Sequence, residues 1–135
     1  MEALTAEDYA SIDRASQHLH GRGWIRAFSL NEMTDAWAAL VGEVEEGYDQ
    51  IVDEYTNDLA CRDWLALAWP MLSPRVREAR AEELAALDDR FIAATEDDGG
   101  LAIGRFSRVE TKDGWWWRRR PRKAAGEFAA DLAAE

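Results

Sequence analysis

The sequence predicts a mainly α protein: a helical bundle with one long central helix, a small C-terminal antiparallel β-hairpin and a short terminal helix. Three features predict it. Capping patterns led by Ser or Thr precede apolar residues at helical spacing. One apolar stripe keeps its phase from Trp37 to Leu59. After residue 100 the helical phase is lost, and an Asp-Gly pair precedes a run of three tryptophans. A chain of 135 residues has the usual size of one domain. The expected divisions are a helical body over 1–98, a hairpin over 101–121 and a terminal helix over 123–135.

The first helix is expected over 5–20. Thr5 caps it and Asp8 completes a capping box. Tyr9, Ile12, Ser16 and Leu19 follow at helical spacing, and Gly21-Arg22-Gly23 stops it. The second start is Ser29-Leu30-Asn31-Glu32. Trp37, Leu40, Val41, Val44, Tyr48, Ile51, Val52, Tyr55 and Leu59 then share one stripe. The pattern crosses Gly42 and Gly47, each costing about 1 kcal/mol relative to alanine. One helix over 30–68 is expected, bent at Gly47, with two helices broken there as the alternative. Pro70 ends it. Ser73-Pro74 opens the next helix, with Val76, Leu84, Leu87, Phe91 and Ala94 on its apolar face. Glu96 to Gly100 stops it. Leu101 to Glu110 and Trp115 to Arg120 read as the two strands, joined by Thr111-Lys112-Asp113-Gly114. Phe128 and Leu132 mark the apolar face of the terminal helix.

The net charge is −11, unevenly spread. Residues 1–104 carry 22 acidic and 8 basic side chains, whereas residues 105–123 carry 8 basic and 2 acidic. So negative a field disfavours non-specific contact with nucleic acid and favours basic partners. Arg outnumbers Lys by 14 to 2, the mark of a GC-rich, bacterial coding sequence. The one cysteine, Cys61, excludes an internal disulfide. The N-terminus lacks the basic-then-apolar pattern of a signal peptide. The longest apolar run, Trp64 to Trp69, is far below the ~20 residues that span a bilayer. A cytoplasmic protein without membrane contact is expected.

Two segments stand out as candidate partner-binding surfaces. The first is the acidic run Glu43, Glu45, Glu46, Asp49, Asp53, Glu54, Asp58 and Asp63, opposed by one cation, Arg62. Like charges on adjoining turns repel by tenths of a kcal/mol. The plain reading is a solvated helix face. The sharper one is a patch for a cationic surface, with Glu45, Glu46, Asp49, Asp53 and Glu54 as contacts. A hard cation would suit paired carboxylates, but no Glu-x-x-His motif accompanies them and no metal site is assigned. Arg62 falls on the apolar stripe. A structural ion pair with Asp58, one turn earlier, is expected.

The second is Trp115-Trp116-Trp117-Arg118-Arg119-Arg120. As a strand it would place Trp116, Arg118 and Arg120 on one face. That face suits a protein hot spot, base stacking beside phosphates, or plain cation–π packing within the chain. His18 and His20 point to different sides of a helix and cannot share a metal. Cys61 beside Arg62 reads as an inert buried thiol rather than a reactive one. Gly99-Gly100-x-x-x-Gly104 lacks the lysine of a phosphate loop. No catalytic set assembles and no cofactor is implied.

The composition therefore favours a non-enzymatic acidic module that binds a basic protein, in concrete form a small inhibitor or toxin-neutralising protein. The alternatives are anion or nucleic-acid binding through the hairpin, and a small-ligand or enzyme pocket between the helices. The amphipathic long helix could also pair with a second copy.

Overall fold

The structure, a computed structural model, describes residues 4–50, 52–101, 114–124 and 126–133. Five helices lie among them: α1 (Ala6–Gly21), α2 (Leu30–Glu46), α3 (Val52–Ala68), α4 (Pro74–Ala94) and α5 (Gly126–Ala133). Two three-residue strands, β1 (Thr95–Asp97) and β2 (Arg119–Pro121), pair antiparallel near the C-terminus. The protein is mainly α, as its patterning predicts.

The helix starts fall where the side chains place them. Thr5 and Asp8 form a reciprocal capping box at α1, and Ser29 and Glu32 repeat it at α2. Ser73 caps α4, with Pro74 in its first turn.

The expected single helix over 30–68 is two helices. Gly47 ends α2 with φ +124°, a geometry that side-chain-bearing residues rarely adopt. The Tyr48 N–H then bonds to the Lys123 carbonyl at 3.1 Å, and Tyr48 bridges Ala124. The C-terminal segment thus supplies a partner for backbone freed by the break. The stripe kept phase across the break because both helices turn their apolar faces to one core.

α2 packs on α3 and α4, and α1 packs on α3. Trp37, Trp64, Tyr48, Tyr55, Phe91 and Phe128 are all fully buried. Trp37 meets Phe91 at 4.7 Å. Tyr48, Tyr55 and Phe128 form an edge-to-face triad with centroids 5.1–5.4 Å apart, which docks α5 against the α2–α3 turn. The Trp64 indole N–H is buried without a hydrogen-bond partner among the described residues, a local cost of about 1–3 kcal/mol.

The antiparallel pair has a different first strand from the one expected. β2 pairs with Thr95–Asp97, placing Thr95 opposite Pro121 and Asp97 opposite Arg119. Thr95 is fully buried, and its hydroxyl donates to the Phe91 carbonyl, tying β1 to the end of α4. The segment expected to form the first strand and turn, 102–113, lies outside the described residues. No described helix is long and apolar enough to cross a membrane.

Candidate binding surfaces: a carboxylate flank and an indole-lined cavity

Trp115–Arg118 is a 3-10 turn, not a strand. The Trp117 N–H closes it on the Gly114 carbonyl at 3.1 Å. A strand would send Trp116 and Trp117 to opposite faces. The tight turn lets both indole N–H groups reach Oδ1 of Asp63, at 2.9 and 2.7 Å. Both rings are buried. A Cβ on Gly114 would lie 2.3 Å from the Trp116 ring, so only glycine fits against it.

Arg62 covers the Trp116 ring, its guanidinium carbon 4.4 Å from the centroid. Its partner is Asp88 of α4, not the expected Asp58. Nε and Nη2 of Arg62 donate to the two carboxylate oxygens at 3.0 and 2.9 Å. Asp88 also accepts the Trp37 indole N–H at 3.0 Å. Asp58 instead accepts the Tyr48 hydroxyl at 2.7 Å. The guanidinium reaches across to α4 rather than back along its own helix, where sequence spacing placed its counter-ion.

Of the described cations from Arg118 to Lys123, three meet partners within the chain. Arg119 donates to the Thr95 hydroxyl and to the Ile92 and Thr95 carbonyls. Arg120 pairs with Glu96 at 2.8 Å, and Arg122 lies 3.9 Å from the same carboxylate. Arg118 is exposed and makes no ion pair with a described residue. Trp116 is only 5% exposed, which leaves no face on which a base could stack. The three residues expected on one binding face are therefore separated: Trp116 inward, Arg120 on Glu96, Arg118 in solvent.

The acidic run also divides. Glu45 turns to α4 and pairs with Arg90, whose hydrogen bond lowers its proton affinity. Glu46, Asp49 and Glu54 are exposed. Asp53 lies in α3, with its side chain outside the described residues. Glu43 and Asp58 are the perturbed pair. Burial is the main cause raising the pKa of Glu43, helped by the charges of Asp58 and Asp49. Burial also raises Asp58, against the lowering effect of the Tyr48 hydrogen bond. A carboxyl raised on folding stabilises the fold while protonated, and that contribution is lost as pH rises through its folded value. Glu43→Gln is therefore expected to melt above the parent at pH 7 and with it below the carboxylate range. Thermal melts of both proteins across that interval check it. Parallel curves at every pH would show that Glu43 is not under charge stress.

Glu43 and Asp58 contribute to the lining of an open apolar groove of about 510 Å³. Trp24, Ile25, Phe28, Met33 and Leu40 also line it, and Ile25 is 86% exposed. Trp24 lines a second cavity as well, of about 720 Å³, between the α1–α2 connection, α3 and the Trp115–Arg118 turn. Cys61 borders the groove but is buried. Burial first, then Asp58, pushes its thiol up to about 12, and its S–H points to the Asp58 carbonyl at 3.0 Å. That is an inert thiol. Among the described residues no group of three or more His, Cys, Asp and Glu is placed to hold a metal.

The roles of Asp63 and Asp88 carried no sequence signal, because each depends on indoles from distant parts of the chain. What fold and surface together define is a mainly α protein with an apolar groove that includes two carboxylates and an indole-lined cavity, the two sharing Trp24. No protein-family model, curated protein or solved structure matches this chain.

Proposed function

We propose that this chain is a non-enzymatic acidic binding module that engages a basic protein along its α2–α3 flank. The observation that supports this reading is the pairing of an apolar groove with unneutralised carboxylates. Ile25 stands 86% exposed at the groove, and Glu43 and Asp58 belong to its lining. Exposed Glu46, Asp49 and Glu54 extend the negative surface beyond it. A basic amphipathic segment would seat its apolar residues in the groove and its cations on the rim. It would also offset the repulsion from Asp58 and Asp49 that adds to the effect of burial on Glu43. A net charge of −11 would steer such a partner from a distance. An inhibitor or toxin-neutralising protein is one concrete form of this activity.

The test is capture of the partner with tagged full-length chain from lysate of its native cells, followed by association kinetics on the purified pair. The partner is expected to be basic. The triple variant Glu46→Gln, Asp49→Asn, Glu54→Gln should associate about tenfold more slowly at low salt and with a flatter salt dependence. Ile25→Ala should raise the dissociation rate instead. The reading fails if the captured protein is acidic, or if the triple variant keeps the parent's on-rate and salt slope.

A further inference from the structure

We propose that the cavity between Trp24 and the Trp115–Arg118 turn binds a small organic cation, a trimethylammonium group carried on an apolar body. This does not rest on the protein-binding reading, which uses a separate groove that shares only Trp24 with this lining. Three indoles line the cavity: Trp24, Trp115 and Trp116. Trp116 is buried beneath the Arg62 guanidinium and meets Trp115 edge to face, at 80° with centroids 5.4 Å apart, so it backs the cavity, while the half-buried Trp24 and Trp115 offer the accessible ring surface. Electron-rich indole faces attract a cation that cannot form hydrogen bonds and is weakly hydrated, which describes a quaternary ammonium.

Asp63 supplies the counter-charge. Both indole N–H bonds it accepts go to Oδ1, and Oδ2 takes no hydrogen bond from any described residue. Its carboxylate is fixed by those two bonds and needs no reorganisation to face a cation. Leu67, 52% exposed, and Ala66 continue the wall in apolar character. The volume of about 720 Å³ exceeds what one headgroup fills, so an apolar body attached to it fits alongside Leu67. Arg22 is the one cation on the lining. It is exposed, so solvent screens it, and the Arg62 charge over Trp116 is already matched by Asp88.

The experiment titrates the full chain with choline and follows the indole N–H resonances. The controls are choline's neutral carbon isostere, in which a tert-butyl group replaces the trimethylammonium, and phenylacetate as an anion. Choline is expected to shift the Trp24, Trp115 and Trp116 signals saturably in the millimolar range. The neutral isostere should bind about tenfold more weakly, the loss expected when the cation's indole and carboxylate contacts go. Asp63→Asn keeps an oxygen for both indoles but removes the charge, and should weaken choline several-fold at an unchanged melting temperature. Trp24→Leu, which leaves the Asp63 bonds alone, should do the same. Arg22→Ala should tighten binding. Equal binding of the isostere, preferential binding of phenylacetate, absence of saturable shifts, or displacement of choline by a lysine-rich peptide at lower concentration would each overturn the assignment.

Discussion

Asp88→Ala is expected to destabilise the protein by about 3–5 kcal/mol, the usual consequence of removing one partner from a buried ion pair. The side chains of Arg62 and Asp88 are only 10% and 18% exposed, so little solvent remains to replace the lost carboxylate. The guanidinium would lose both of its hydrogen bonds and stay buried against Trp116. The fully buried Trp37 would lose the acceptor for its indole N–H at the same time. These losses share one carboxylate and are not additive. For a chain of this length the melting temperature should fall by roughly 10–20 °C. The joint replacement Arg62→Met, Asp88→Leu should be milder than Asp88→Ala alone, since it leaves no orphaned charge. Denaturant melts of the three proteins decide the matter. A loss below about 1 kcal/mol for Asp88→Ala would mean that the pair does not hold α3 to α4.

Phe128→Ala should cost a comparable amount, about 3–5 kcal/mol, by a different mechanism. Phe128 is 1% exposed and closes the aromatic triad with Tyr48 and Tyr55. It is the buried aromatic anchor of α5, a helix too short to persist without tertiary packing. Truncation should therefore do more than leave a void. It should release the segment after Lys123, whose carbonyl otherwise accepts the Tyr48 N–H. Trypsin would then cleave at Lys123 well before the helical body, while the parent resists. Ile25→Ala, at a residue 86% exposed, is the matched control and should stay within about 0.5 kcal/mol of the parent. Equal protease resistance of Phe128→Ala and the parent would show that α5 docks through other contacts.

Much of the helical framework was legible because its signals are local. A capping box needs only residues three positions apart, and Thr5 with Asp8 and Ser29 with Glu32 form as their order implies. Ser73-Pro74 acts in the same way. The helix break was harder to read. Gly47 is a weak signal alone, and the apolar stripe runs through it in phase. The expected strand at Trp115 failed because aromatic richness was read as extended geometry. Here the demand came from Asp63, which draws both indole N–H groups to one oxygen. The candidate surfaces were legible in charge and not in shape. Glu43 and Asp58 belong to an obvious acidic run, but only packing sets them beside the apolar residues of a groove.

The amino-acid order thus determined the helical class, the starts of three helices, the buried character of the apolar stripe and the polarity of the charge. Each follows from neighbours along the chain, where backbone hydrogen bonding and side-chain spacing act over a single turn. Tertiary structure decided which carboxylate meets Arg62, where β2 finds its partner strand and which tryptophans line a cavity. Those choices follow from closing the chain around one core, where leaving a buried charge unpaired costs more than most local preferences supply.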